Sequence, residues 1–444
     1  MTKQGVRIST KRENFSSRFG FIMACLGSAV GMGNIWLFPY RVGQLGGAAF
    51  LIPYFICVAL LGMSGIVGEI TLGRSTKTGP LNAYRKAGEM RGLKHYGKIG
   101  IIPVLGSLAT AIGYSVVMAW ILKYFVSSVT GDLMTNNIGE SFGELTQSFG
   151  AVPWHIIVII LTFLMMAFGI VKGIERVNKF MMPAFFALFV ILAIRVAFLP
   201  GAERGYSFLL NPNFNALLRP NTWIYALGQA FFSLSLAGTG TVVYGSYLSD
   251  KVDVINSAKY IAIFDTVAAM VATMVIIPTV FAFGMDVNAG PPLMFITMPS
   301  IFGMIPLGKI VAIIFFLAVA FAGFTSLVNL FETPVEALQT KFGLSRKAAV
   351  ATVLSFGLAV GVFIEGGDIV SIWMDIISIY IVPFGAILAG VTIYWICGKG
   401  YAKKHAQIGR EKKIGKLFEP MGRYVFCGVA IIVFILGVLY GGVG

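Results

Sequence analysis

The sequence predicts an all-α polytopic membrane protein whose first and sixth helices are interrupted halfway across the bilayer. Three observations carry that reading. Of 444 residues, 57% are hydrophobic and only 12% charged, against roughly 25% charged in an average soluble domain. The apolar residues gather into eleven blocks, each near the ~20 residues that cross a hydrocarbon core of about 30 Å. Two of these blocks, the first and the sixth, carry clustered glycines and polar residues at their midpoints. An ordinary soluble enzyme is excluded by composition alone.

Helices are expected at 19–42, 46–72, 99–126, 154–171 and 174–198, then at 222–248, 254–283, 306–339, 345–363, 369–397 and 424–443. With the N-terminus inside, 28 of the 34 Lys and Arg fall at inner ends and loops, while Arg204, Arg219 and Lys309 lie outside. The positive-inside rule then sets a cytoplasmic N-terminus and an extracytoplasmic C-terminus. The net charge of +15 is thus a topology signal spread over six loops, so the expected partner is the lipid bilayer and not nucleic acid. The opening 18 residues are polar and lack a cleavage-site pattern, so no signal peptide is expected. Cys25, Cys57, Cys397 and Cys427 lie in or beside apolar blocks, which argues against a disulfide framework.

Between the helices, 127–153 reads as an outer vestibule segment and 73–98 as a basic cytoplasmic segment on the headgroups. The stretch 284–305, with NAGPPLMFITMPSIF, is too apolar for a solvated loop and too broken by proline for a span. It reads as a lid dipping into the outer face.

The first block places Gly27, Gly31, Gly33 and Asn34 at mid-depth, and the sixth places Gly238 and Gly240 beside Ser233, Ser235 and Thr239. Each glycine costs a helix roughly 1 kcal/mol relative to alanine. Small residues in membrane helices mostly serve packing, but the polar side chains at both breaks have no packing role. Backbone freed at membrane depth is tolerated where it lines a cavity. Breaks in the first of five helices and the first of the next five point to inverted repeats with a substrate site between them. The organisation expected is a cytoplasmic segment 1–18, repeats 19–199 and 200–398, a basic loop 399–423 and a final helix 424–444. Asp265 lies mid-span, where a carboxylate costs roughly 2.5 to 3.5 kcal/mol on insertion scales. No cation in an apolar span is placed to pair with it, whereas a hard metal ion bound by oxygens would compensate it. Thr325 and Ser326 supply adjacent hydroxyls in the eighth span, although such groups commonly bond their own helix. His95, His155 and His405 sit in loops or at span ends with no metal-ligand spacing and no nucleophile nearby, which argues against an enzyme.

The strings GSAVGMGNIWLFPY, SLSLAGTGTVVYGSY and AGFTS, in this order in spans one, six and eight, resemble the neurotransmitter:sodium symporters, particularly bacterial amino-acid transporters of the leucine-transporter (LeuT) type. The likeness runs nearly to the end of span ten and includes GIERVNKFMMP and GLSRK. It implies the LeuT-like 5+5 inverted repeat with discontinuous helices 1 and 6, an eleven-helix branch and a bacterial inner (plasma) membrane. It also implies residue roles. The break at Ser28, Ala29, Gly31, Met32 and Gly33 would hold substrate carboxylate and amine, with Tyr114 meeting the carboxylate and Phe232 closing the lid. Thr110, Ser233, Ser235, Gly238, Ser326 and Leu330 complete the implied pocket. A first sodium site would use Ala29, Asn34, Ser233 and Asp265, and a second Gly27, Val30, Ala322, Thr325 and Ser326, both all-oxygen sets suited to a hard cation. Glu69 would brace the unwound sixth span. Gly173 and Pro183 match a Gly-x9-Pro motif associated with inward opening. Sodium is the one ion implied, with no organic cofactor, and the expected assembly is a monomer or weak dimer.

Departures from the family pattern are informative. Asp265 stands where the leucine transporter has asparagine, and a fixed carboxylate can supply the charge that chloride supplies in animal relatives. Leu37 replaces the outer-gate arginine, leaving Arg41 to reach toward Asp375. At the inner gate, Arg12, Phe15 and Tyr247 match, but Thr340 replaces an aspartate, for which Glu336 is the substitute. Gly238 replaces a phenylalanine that encloses leucine, which should enlarge the pocket unless Phe231 or Phe324 refills it. The function implied is sodium-coupled import of a neutral, hydrophobic or aromatic amino acid by chloride-independent alternating access. Its alternatives are a carrier of the same fold for another small amine or carboxylate, and a non-transporting sensor or channel.

Overall fold

The computed structural model describes residues 13–135, 137–287 and 293–442. Among them every regular element is helical. The first predicted span is two helices, α1 (Arg18–Ala29) and α2 (Gly33–Gln44), bent by 56° at the break. Ser17 caps α1 by accepting the Gly20 N–H at 3.0 Å. Val30 leaves the helix in an extended conformation, and α2 restarts on a loosened π-type turn over Gly33–Leu37.

The chain continues through α3 (Ala48–Thr76), α4 (Tyr96–Thr130), α5 (Val152–Met166) and α6 (Ile170–Ala197). The sixth predicted span is also two helices, α7 (Pro220–Ser233) and α8 (Gly240–Ser246). Then follow α9 (Val254–Ala282), α10 (Gly308–Phe342), α11 (Arg346–Phe363), α12 (Gly367–Ile396) and α13 (Phe418–Tyr440). Among the described residues, eight helices are individually long and apolar enough to cross a membrane, and the bent α1–α2 pair makes a ninth. The other two predicted spans are the shorter α5 and the split α7–α8.

The 35-residue α10 and the long α4 form the centre, buried over most of their surfaces, whereas α6, α11 and α13 keep much of their apolar surface exposed. Exposed residues such as Phe180, Phe198, Phe363 and Leu439 suit contact with lipid, which is as apolar as they are. Apolar attraction therefore does little to pull these helices together, and close packing of small residues does more. The α3–α8 contact shows it. A Cβ on Gly73 would lie 1.8 Å from the Val242 carbonyl oxygen, and one on Gly245 would lie 2.4 Å from that of Ile70.

The proposed lid segment is helical over Leu293–Met304 and packs inward. The Phe295 ring lies 5.2 Å from Tyr124, 5.9 Å from Trp120 and 6.3 Å from Trp36, so the lid touches the break-bearing helix two residues after Asn34.

Gly73→Val should lower stability by about 1–3 kcal/mol through overpacking. Thermal unfolding in detergent is the check, with Gly143→Ala as control, because a Cβ there meets nothing within 4 Å.

Candidate substrate and ion site

Where α1 and α7 stop, backbone groups lose their helical partners and side chains replace them. Glu69 on α3 accepts the Gly238 N–H at 2.8 Å and the Thr241 hydroxyl. Ser235, held at φ +52°, donates to the Ser28 carbonyl at 2.9 Å. This bond joins the two breaks directly. Asn329 on α10 donates to the Ser28 hydroxyl, and Gln229 to the Gly33 carbonyl at 3.2 Å.

Between the breaks lies a cavity of about 100 Å³. Twelve of the thirteen residues that the resemblance nominates for substrate line it: Ser28, Ala29, Gly31, Met32, Gly33, Thr110, Tyr114, Phe232, Ser233, Ser235, Ser326 and Leu330. The Tyr114 hydroxyl accepts the Met32 N–H at 3.1 Å. A Cβ on Gly31 would lie 2.6 Å from that hydroxyl and 2.7 Å from Ser326 Oγ, so only glycine lets the three meet.

Gly238 is the exception and corrects the sequence reading. It does not line the cavity; at φ +67° its missing Cβ would face the Gly385 carbonyl oxygen at 2.6 Å. Its absent side chain therefore makes no room for substrate. Phe231 does not refill the space either, being stacked on Phe426 with centroids 6.4 Å apart. Asn329, Ser107, Met374 and Ile381 line the cavity without having been foreseen. Asn329 was discoverable as an amide one turn beyond Ser326. Met374 and Ile381 look in sequence like any lipid-facing residue.

Two oxygen clusters flank the cavity. In the first, fully buried Asp265 accepts Asn34 Nδ2 at 2.8 Å and Ser233 Oγ at 2.7 Å. Asn34 Oδ1 accepts the Gly31 N–H at 3.1 Å, which turns that amide's oxygen toward the break. In the second, Ser326 Oγ lies 2.9 Å from the Gly27 carbonyl oxygen and 3.0 Å from that of Val30. Thr325 Oγ1 lies 2.9 Å from the Ala322 carbonyl oxygen and 3.0 Å from that of Phe321. Thr325 meets carbonyls of its own unbroken helix, whereas Ser326 has one proton for two carbonyls at the end of α1, so acceptors there outnumber donors. Such a surplus of oxygen lone pairs is complementary to a hard cation.

At the end expected to face inward, Phe15 is buried, its N–H donates to the Tyr247 carbonyl at 3.1 Å, and its ring lies against Tyr244 and Tyr247. Tyr247 donates to Glu332 at 2.9 Å, and Glu332 forms a two-pronged ion pair with Arg346 at 2.7 Å. Glu336 is buried and accepts the Gly79 N–H and the Thr340 hydroxyl, each at 2.9 Å. Arg12 lies outside the described residues. At the opposite end the structure departs from the expected Arg41–Asp375 pair. The Arg41 guanidinium lies 4.3 Å from the Tyr225 ring centroid and donates to Gln44 at 3.0 Å, while Asp375 is exposed and makes no ion pair among the described residues. Tyr225 offers Arg41 an aromatic face.

One further constellation was missed. His155 has a nucleophile-type neighbour after all: its Nε2 lies 2.8 Å from Ser115 Oγ, and its Nδ1 lies 3.1 Å from Glu365 Oε1. All three residues are fully buried. Sequence separation hid them, because Glu365 lies 210 residues from His155.

The chain matches the sodium:neurotransmitter symporter family over residues 12–146 and 142–440. It is 34% identical over 399 residues to an uncharacterised sodium-dependent transporter of Bacillus subtilis, covering 86% of this chain and 88% of that one. The chain belongs to the sodium:neurotransmitter symporter family. Another relative, an uncharacterised sodium-dependent transporter of Methanocaldococcus jannaschii, is 33% identical over 430 residues, 91% of this chain and 86% of its own. The mouse sodium-dependent neutral amino acid transporter B(0)AT3 is 28% identical over 303 residues, 61% of this chain and 48% of its own. Among solved structures, MhsT in complex with L-phenylalanine superposes with a TM-score of 0.86 at 34% identity, covering 96% of this chain and 99% of that one. This symporter-family chain is therefore a sodium-dependent membrane transporter of the LeuT fold and not an enzyme.

Asn34→Ala would leave Asp265 short of a donor and the Gly31 N–H without its acceptor. A loss of about 1–3 kcal/mol per unsatisfied group should appear as a lower unfolding midpoint, measured in sodium-free buffer.

Proposed function

We propose that this protein is a chloride-independent sodium symporter that imports a neutral, hydrophobic or aromatic amino acid. The observation that carries the proposal is the pair of oxygen clusters abutting one cavity, one around a buried carboxylate and one with a single hydroxyl proton for two carbonyls at the end of α1. In this reading eleven helices cross a bacterial inner membrane, with the N-terminus cytoplasmic and the C-terminus outside. Residues 19–199 and 200–398 form the two repeats, and the protein acts as a monomer or weak dimer without an organic cofactor.

One sodium ion would bind Ala29, Asn34, Ser233, Asp265 and the substrate carboxylate, and a second Gly27, Val30, Ala322, Thr325 and Ser326. Tyr114 and the N-terminal start of α2 orient the carboxylate, since the amides at a helix start favour an anion. The apolar walls, Met32, Leu330, Met374 and Ile381, favour a hydrophobic side chain, as does the phenylalanine bound by MhsT. Phe232 then closes the outer side, and α1–α3 with α7–α9 rock against the remainder. Phe15, Tyr247 and Glu336 part at the inner end, with the Gly173 turn of α6 yielding. Each inward charge gains roughly 2.3 kcal/mol per 100 mV of membrane potential.

Proteoliposomes with an inward sodium gradient should accumulate labelled L-phenylalanine above its outside concentration, and equally when gluconate replaces chloride. Collapse of uptake in gluconate at constant sodium would refute chloride independence, and failure to accumulate any of the twenty amino acids would refute symport. Asp265→Asn removes the fixed charge, so its uptake should fall at least roughly tenfold in gluconate, the factor that corresponds to about 1.4 kcal/mol, and less in chloride.

A further inference from the structure

We propose that His155 and Glu365 are positioning residues for transport, holding Tyr114 in register with the broken first helix and tying it to the base of α12. The proposal rests on the reading of Tyr114 as partner of the substrate carboxylate.

The line runs without interruption. The Ala151 N–H donates to Glu365 Oε2 at 3.2 Å, Glu365 Oε1 meets His155 Nδ1 at 3.1 Å, and His155 Nε2 meets Ser115 Oγ at 2.8 Å. Ser115 Oγ also lies 2.7 Å from the Ile112 carbonyl oxygen. A carbonyl can only accept, so the serine proton goes there and Nε2–H is the donor toward Ser115. A single proton then remains to be shared between Nδ1 and Oε1, and the pair is neutral overall, which suits full burial in an apolar surrounding.

Its ends lie at functional places. Ser115 follows Tyr114, whose hydroxyl accepts the Met32 N–H at the first break. Glu365 precedes Gly366, the residue that caps the start of α12, and α12 carries the cavity residue Met374. The same two helices dock directly one turn inward, where Trp373 Nε1 donates to the Ala109 carbonyl at 2.8 Å and Gly113 makes room for Met374. Gly361 in turn makes room for the imidazole, since a Cβ there would lie 2.4 Å from His155 Cε1. Packing alone would favour a small apolar residue at 155. A histidine satisfied at both nitrogens instead fixes rotation and height of α4 against α5 and the 364–366 turn, and substrate geometry is sensitive to shifts near 1 Å.

The test separates positioning from mere stability. Single loss of His155 leaves a buried carboxylate and should simply destabilise, whereas a His155→Leu/Glu365→Leu double variant removes both partners, costs only the Ala151 N–H its acceptor, and should unfold at a higher temperature than His155→Leu. In that more stable variant, KM for sodium-driven L-phenylalanine uptake should rise roughly tenfold, equivalent to one charge-assisted hydrogen bond, with the maximal rate changed less than about twofold. Ser115→Ala should act in the same direction. On a Tyr114→Phe background the double variant should add little, because the hydroxyl it positions is gone. Hydrogen exchange at the Met32 amide, measured in sodium without amino acid, should quicken in both line variants. An unchanged KM in the stable double variant, or effects that multiply with Tyr114→Phe, would overturn the proposal. Should the wild type fail to transport phenylalanine, the substrate reading alone falls, and Met32 exchange decides: faster exchange supports positioning and unchanged exchange overturns it.

Discussion

Backbone at the centre of a bilayer has no water to bond, and in two places this chain gives up the helix that would satisfy it. Everything near the cavity answers that deficit. Between α1 and α2, Asn34 takes the Gly31 N–H, Tyr114 takes the Met32 N–H, and Ser235 and Ser326 reach the freed carbonyls. Between α7 and α8, Glu69 takes the Gly238 N–H. All of these partners except Asn34, three residues from Gly31, come from a different stretch of chain or from the opposite break, so the breaks depend on the helices around them staying assembled. The groups that sequence marks as costly at membrane depth, Glu69 and Asp265 among them, are thereby explained as necessary.

The same arrangement yields ion chemistry. A helix that ends in the membrane presents carbonyl oxygens, and the Ser326 hydroxyl, with one proton, can satisfy only one of the two it reaches, those of Gly27 and Val30. The remaining lone pairs make a cation welcome, and a cation bound there would lock the break to α10. A second cation beside Asp265 would lie against the cavity that the substrate enters. Structure and coupling would then be one phenomenon, in which each ligand relieves a deficit that the other also touches.

Much of this was legible in the chain because glycine clusters and intramembrane polar residues are rare against an apolar background. Gly31, Asn34, Ser235 and Asp265 each stood out for that reason, and the structure brings them together. The misses have physical causes as well. Gly238 was read from its place in a string, but a positive φ turns its missing side chain toward α12 and away from the cavity. Arg41 and Asp375 are complementary in charge, yet nothing in sequence shows that Tyr225 offers the guanidinium a face. Met374 and Ile381 were invisible because apolar residues carry no mark of which side of a membrane helix they occupy. The Ser115–His155–Glu365 line was invisible because its members are far apart in sequence and each is unremarkable alone.

The central claim is that sodium and the amino acid complete one another's sites. The most direct test is to measure L-phenylalanine affinity with and without saturating sodium, and sodium affinity with and without saturating L-phenylalanine, on the purified full-length protein. Linkage requires the amino-acid ratio to equal the combined ratio of the two sodium-binding steps, and a shared carboxylate ligand requires it to exceed roughly tenfold, the worth of about 1.4 kcal/mol. Matching ratios above that size are the expected result. Amino-acid affinity that does not change with sodium would contradict it.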